Sequence, residues 1–280
     1  MVKEFISQLP PDKLSPFEKH PYQVREDAAM DELTESIRVH GVLSPLLARP
    51  KGDGYELVSG HRRRLAAQKL RLPTVPVLVR EMTDDEAVIL MVDSNLQREN
   101  LLPSEKAFAY KMKLEAMKHQ GKATSGQLVQ KLSVEKVADE ANENYKTVQR
   151  YIRLTNLVPP LLQMVDDGRI ALSPAVELSY LSEAEQTALL EVMEGEIRTP
   201  SHAQAIKMRS FSEQGKLNPD VILSIMQEEK PNQKEKPAFK DERITKLIPK
   251  SIPRGQEADF VVKALEFYNR HLQRQRSQER

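Results

Sequence analysis

Apolar residues change their rhythm along this chain near residue 83. Before that point they come in short, often β-branched runs, Leu43 to Ala48, Tyr55 to Val58 and Pro73 to Val79, which is strand behaviour. Pro45 inside the first run marks it as a bent or edge strand, because proline cannot donate to a ladder. Gly52-Asp53-Gly54 reads as the turn into the second run. Two helical stretches interleave with these strands. Asp31 to His40 places Leu33 and Ile37 on one face and stops at Gly41, and residues 61–70 form the other. An extended approach, Pro21 to Asp27, precedes the first.

From Thr83 onward the pattern is helical almost throughout. Thr83 to Glu86 starts one helix, with Ala87, Leu90 and Met91 apolar, and Ser104 is expected to cap a longer one to about His119. Ser133 is expected to cap Val134 to Ala141, followed by the turn Asn142-Glu143-Asn144 and a helix from Tyr145 to Leu157. Two short helices about a tight turn form a helix-turn-helix pattern. The second carries Lys146, Thr147, Gln149, Arg150 and Arg153. Its lysine and arginines share a face, so they can offer cations to phosphates and bidentate donors to base edges; an ordinary hairpin with a solvated basic face fits the spacing as well. Further short helices fill residues 159–228, a Pro/Lys-rich linker spans 229–242, and the last helix puts Phe260, Val261, Ala264, Leu265, Tyr268 and Leu272 near one stripe. A lone helix cannot bury such a stripe, so it must dock on a second chain or on the body of its own; self-association through residues 243–280 is the expectation and docking within the chain the alternative.

Charge enters as a local matter. The net charge is +1, so any basic surface must be regional. There are no cysteines, which excludes disulfides, thiolate metal sites and thiol catalysis; no long apolar run or signal-peptide pattern is seen, and a cytoplasmic location is expected. The most informative local feature follows the strand at 55–58. Ser59-Gly60-His61 leads into a helix whose first turn holds Arg62, Arg63 and Arg64. A helix N-terminus already carries partial positive charge and unpaired N–H groups, so cations there suit an anion placed opposite them. Glycine for close approach, N–H groups and guanidinium forks make a phosphate cradle; a solvated basic turn is the plainer alternative.

Taken in order, these motifs resemble the ParB/RepB partition-protein family over about residues 5–185. The marks are His20 to Arg25; Leu33 to Ile37 with Gly41 to Pro45; Gly60-His61-Arg62-Arg63; Asn95 to Glu99 with Leu102 to Glu105; the helix-turn-helix; and Asp167 to Ser173. The resemblance implies an α+β N-terminal nucleotide-binding domain (residues 1–115), an all-α helix-turn-helix domain (116–228), the linker (229–242) and a C-terminal helix (243–280). It implies sequence-specific binding of a palindromic site in double-stranded DNA, control by CTP and Mg²⁺ through a closing clamp, a homodimer, a ParA-type ATPase as partner and association with the nucleoid. By motif match, Gly60, His61, Arg62, Arg63, Ser94 and Asn95 would contact nucleotide, Asn95 would face the metal, and Gln23 matches a position tied to hydrolysis. Gly41 and Pro45 would shape the pocket wall, and Arg98 sits beside the metal-facing segment.

Two departures bear on chemistry. His61 and Ser94 stand where the family usually has glutamate, so turnover is expected to be slow or absent even if nucleotide binds. A ParB-like transcription regulator or nucleoid organiser without a segregation role is the alternative reading. Sulfiredoxin-type chemistry, found on a related domain, fails for want of a cysteine. Asp84, Asp85 and Glu86 read as a helix N-terminus rather than a nuclease metal site.

Overall fold

The structure is a computed structural model that describes residues 4–18, 20–22, 24, 26–96, 101–120, 127–196, 198–228, 242–249, 251–253 and 256–278. The chain forms two units, Met1–Met226 and Gln227–Arg280. In the first, strands β1 (Glu4–Leu9), β2 (Leu14–Pro16), β3 (Leu46–Lys51), β4 (Gly54–Ser59) and β5 (Val75–Arg80) make one mixed sheet in the order β1-β5-β3-β4-β2. β1 runs antiparallel to β5, β5 parallel to β3, β3 antiparallel to β4, and β4 parallel to β2.

Alternation explains how the sheet is covered. Val75, Val77 and Val79 point to one face, with Leu46, Ala48, Leu57 and Ala67. Helices α1 (Ala28–His40) and α2 (His61–Lys69) lie on that side and bury Met30, Ile37 and Ala66. Val58, the residue after Leu57, faces the other way and packs with Phe17, Tyr22, Met91 and Val92 under α3 (Asp84–Leu96). β3 lies between β5 and β4, so it is an interior strand and not the edge strand expected from Pro45. The proline precedes the strand, and no ladder donor is lost there. β1 is an edge strand that the pattern did not announce, because Phe5 and Ile6 remain exposed.

One ionic cluster is built into this sheet. Arg49 and Glu56 are cross-strand partners, both almost fully buried, with Arg49 Nη2 2.6 Å from Glu56 Oε2. Lys51 reaches the other carboxylate oxygen at 2.5 Å, and Asp84 closes the far side of Arg49. Burial alone would raise the Glu56 pKa, but hydrogen bonds from Lys51 and Arg49 outweigh it and hold the carboxyl below its usual range. Its contribution to stability is therefore complete above the ordinary glutamate pKa and is lost as pH falls through the depressed folded-state value. Glu56→Gln should cost about 1–3 kcal/mol near neutrality. In urea unfolding, the gap to wild type should shrink in acid; a gap independent of pH would contradict this.

The remainder of the unit is helical: α4 (Pro103–Gln120), α5 (Gln127–Glu140), α6 (Tyr145–Leu154), α7 (Pro159–Asp166), α8 (Leu172–Leu178), α9 (Glu183–Glu196), α10 (His202–Glu213) and α11 (Pro219–Gln227). α4 is apolar on several sides. Ala107, Ala109 and Tyr110 enter three different clusters, so this helix ties the sheet region to the helical one. The boundary expected between residues 115 and 116 falls inside it.

Two expected caps are displaced. α4 opens on Pro103, the Leu102 N–H is met by Glu105, and Ser104 instead binds Asp166 at the end of α7 through its N–H (2.9 Å) and hydroxyl (2.5 Å). α5 begins at Gln127, which leaves Ser133 inside the helix. In the second unit, α12 (Glu242–Leu247) precedes α13 (Glu257–Gln278); Phe260 and Val261 of the expected stripe are partly covered, while Leu265 and Tyr268 are exposed. Residues 229–241 of the linker, and the side chain of Leu272, lie outside the described residues. Among the described residues, no helix is long and apolar enough to cross a membrane.

Candidate functional sites

β4 delivers the chain to Gly60, which adopts φ 102° and ψ 23° and turns directly into α2. A Cβ at this position would sit 2.9 Å from Leu46 Cγ and 3.2 Å from Arg63 Nη2, in a conformation L side chains rarely adopt. Gly60→Ala should therefore destabilise the fold by about 1–3 kcal/mol. Gly41 supplies the comparison: its φ is also positive, but a Cβ there would meet nothing within 4 Å. Thermal unfolding should place Gly60→Ala clearly below wild type, and wild-type melting would contradict the close approach; Gly41→Ala should lose stability through backbone strain alone.

No side chain caps α2, and its first turn holds no carboxylate. The three arginines leave that turn in different directions. Arg62 pairs with Asp27 at 3.0 Å, and the same Asp27 oxygen caps α1 through the Met30 N–H at 2.9 Å. Arg63 donates from Nη1 to the carbonyls of Ser44 (2.6 Å) and Pro45 (2.9 Å), which fixes the wall between Gly41 and β3. Burial lowers its pKa, and among the described residues no carboxylate pairs with it. Arg64 turns away and donates to the Pro11 carbonyl at 3.1 Å. Arg63 is thus a half-buried cation held by neutral oxygens beside an acid-free helix start, which favours an anion.

His61 packs against His20 in a tilted arrangement, with ring centroids 4.0 Å apart and ring planes at 48°. His20 Nδ1 contacts the Tyr22 carbonyl at 2.8 Å, and the Tyr22 hydroxyl donates to the Val92 carbonyl of α3 at 3.4 Å. This strap connects the start of α2 to the last turn of α3, where Ser94 and Asn95 lie. Asn95 is buried; its amide nitrogen donates to the Met91 carbonyl (2.7 Å) and Ser94 Oγ (3.2 Å), leaving Oδ1 to accept or ligate. Ser94 Oγ itself donates to the Met91 carbonyl at 3.0 Å. Among the described residues, no group of three or more His, Asp or Glu side chains could hold a metal. Gln23 and Arg98 lie outside the described residues.

The second region is α6. Asn144 caps it by accepting the Lys146 N–H at 2.9 Å, after a turn in which Asn142 takes φ 52°. Val148 and Leu154 are buried beneath. Lys146, Gln149, Arg150 and Arg153 line one groove of about 690 Å³, with Ile152 and Val176 among its apolar residues and no carboxylate among its described lining residues. Thr147 is half-buried and lies outside that lining. Arg150 Nη2 bonds Ser173 Oγ at 2.7 Å. Arg153 stacks over the Tyr180 ring at 3.8 Å and reaches the Ser179 carbonyl at 3.3 Å. Lys111, Ser173 and Tyr180 were not apparent in the sequence, because each comes from an element remote from α6.

Residues 1–96 match the ParB N-terminal domain family. Over 202 residues the chain is 35% identical to the "Probable chromosome 1-partitioning protein ParB" of Deinococcus radiodurans, covering 72% of this chain and 65% of that one. It is 36% identical over 190 residues to the chromosome-partitioning protein Spo0J of Thermus thermophilus, covering 68% and 65%. A nucleoid occlusion protein of Listeria innocua is 30% identical over 191 residues, covering 68% and 63%. The matched part spans just under two thirds of the length of each relative.

Proposed function

The chain belongs to the ParB family, and from that premise we propose that it is a sequence-specific double-stranded-DNA-binding protein of chromosome or plasmid partition, controlled by CTP and Mg²⁺ in its N-terminal domain. The observation that carries this reading is the α6 groove, where Lys146, Gln149, Arg150 and Arg153 of one helix converge without a carboxylate among the described lining residues. Lys146 serves phosphate, Gln149 and Arg150 offer donors to base edges, Arg153 holds the face in place, and Thr147 sits at its flank.

The α2 turn takes the triphosphate. Gly60 lets the backbone approach, the first-turn N–H groups and the Arg62 and Arg63 guanidinium groups meet the phosphates, and His61 and Ser94 contribute neutral polar atoms. Asn95 Oδ1, left free by the amide's donation to the Met91 carbonyl, would offer Mg²⁺ a neutral oxygen, a ligand type that suits this hard cation. When bound, Mg²⁺ neutralises phosphate charge. No carboxylate stands at 61 or 94, so turnover, with Gln23 at the hydrolysis position, is slow or absent. A homodimer, a ParA-type ATPase partner and residence at the nucleoid complete the reading.

The test is selection from a random duplex library with the full chain. An inverted repeat should be enriched; a pool with no enriched sequence would overturn sequence-specific binding. The nucleoid occlusion relative favours a second reading, in which the protein organises the nucleoid without segregating DNA. A plasmid carrying the enriched site separates the two: partition predicts faster plasmid loss when the protein is removed, and the second reading predicts unchanged retention.

A further inference from the structure

Several cations of the first unit are committed to carboxylates. Lys51, Lys69, Lys106 and Lys113 each make an ion pair, as do Arg49 and Arg209. Lys111 of α4 is different. Among the described residues it has no ion pair or hydrogen bond, although it is partly buried and lines the same groove as Lys146, Arg150 and Arg153. Lys146 likewise has no carboxylate partner among the described residues. Like charges gathered in a partly desolvated groove repel one another, and the arrangement is stabilised when an anion enters.

The groove also has a fixed wall. The Tyr180 ring is held between Arg153 at 3.8 Å and Arg209 at 3.6 Å. Arg209 is anchored in turn by Glu177 at 3.1 Å and Glu213 at 2.8 Å. Arg153 is therefore occupied on one face by an aromatic ring, which leaves Lys111 and Lys146 as the ammonium groups available to an extended polyanion. Lys111 stands on a different helix from the other three, so an anion touching all four must run across α6 and onto α4. A nucleic-acid backbone meets that description because its charges repeat along its length.

We propose that Lys111 is a DNA-phosphate contact on α4 that carries the backbone track beyond the helix-turn-helix. The proposal rests on the reading of α6 as the DNA-facing helix, and its test keeps the two apart. The full chain would be titrated onto a labelled mixed-sequence duplex of about two helical turns, and onto a selected site, across about 50–200 mM salt. The variants are Lys111→Gln, Lys111→Arg, Lys146→Gln and Lys118→Gln, the last an exposed lysine on α4 outside the groove.

Lys111→Gln should weaken binding to both duplexes by the same factor and flatten the slope of log affinity against log salt by about 0.9, the value for one phosphate contact. Lys111→Arg should keep the slope, which separates charge loss from misfolding, and Lys118→Gln should not change it. A wild-type slope in Lys111→Gln, with a flattened one in Lys146→Gln, would overturn the assignment of Lys111 and leave α6 standing. Wild-type slopes in both would overturn the α6 reading and the Lys111 proposal together.

Discussion

Replacing Asp93 by asparagine and Glu140 by glutamine together is expected to cost the first unit about 3 kcal/mol, the low end for stripping a buried charge of its partners. The Lys113 side chain has no solvent exposure. Its ammonium group is held by Asp93 of α3 and, at 2.6 Å, by Glu140 of α5, so α4 carries a cation locked between its two neighbours. Both carboxylates are about half exposed and can be rehydrated if the lysine goes, whereas the lysine cannot reach water if they go. Lys113→Met, which keeps the stem volume and removes the charge, should therefore change stability by less than about 1 kcal/mol. Urea unfolding of both variants decides the matter. A Lys113→Met variant as damaged as the double carboxamide variant would show that the cation, not its isolation, matters.

Arg150→Ala is expected to lower affinity for the selected DNA site by about 1–3 kcal/mol, roughly 5- to 150-fold, and to relax preference at one base-pair position. Ser173 Oγ holds one edge of this guanidinium at 2.7 Å, which orients the side chain before DNA arrives. Ser173→Ala should weaken binding in the same direction but less, because it loosens the donor without removing it. Anisotropy titrations on the selected site and on single-base variants check both. A loss uniform across all sequences would make Arg150 a phosphate contact instead.

What the sequence revealed was what neighbouring residues can encode. The alternation of Val75, Val77 and Val79 marks a half-buried strand, and Gly60 with the arginine turn is visible because all its parts are adjacent. Apparent caps misled twice: Ser104 and Ser133 have the right chemistry, but Pro103 starts one helix and six residues before Ser133 already belong to the other. Pro45 suggested an edge strand because its relation to the first ladder pair cannot be read locally. The His20–His61 ring contact, the Asp93–Lys113–Glu140 triad and the Arg153–Tyr180–Arg209 sandwich all join residues distant in sequence, and no periodicity announces them. Lys111 was hidden for the same reason. On α4 it reads as one more solvated lysine, and only the packing of α4 against α6 turns it into the groove.

The measurement that bears most directly on the proposed nucleotide control is calorimetric titration of the full chain with CTP, ATP, GTP and UTP, each with Mg²⁺, on wild type and Arg63→Ala. The proposed function predicts CTP-selective binding in wild type, and the placement of Gly60 and Arg63 predicts its loss in Arg63→Ala while the variant remains folded. No heat with any nucleotide, or the same affinity in both proteins, would contradict it and leave the arginine turn as a structural tie between α2 and the wall at Pro45.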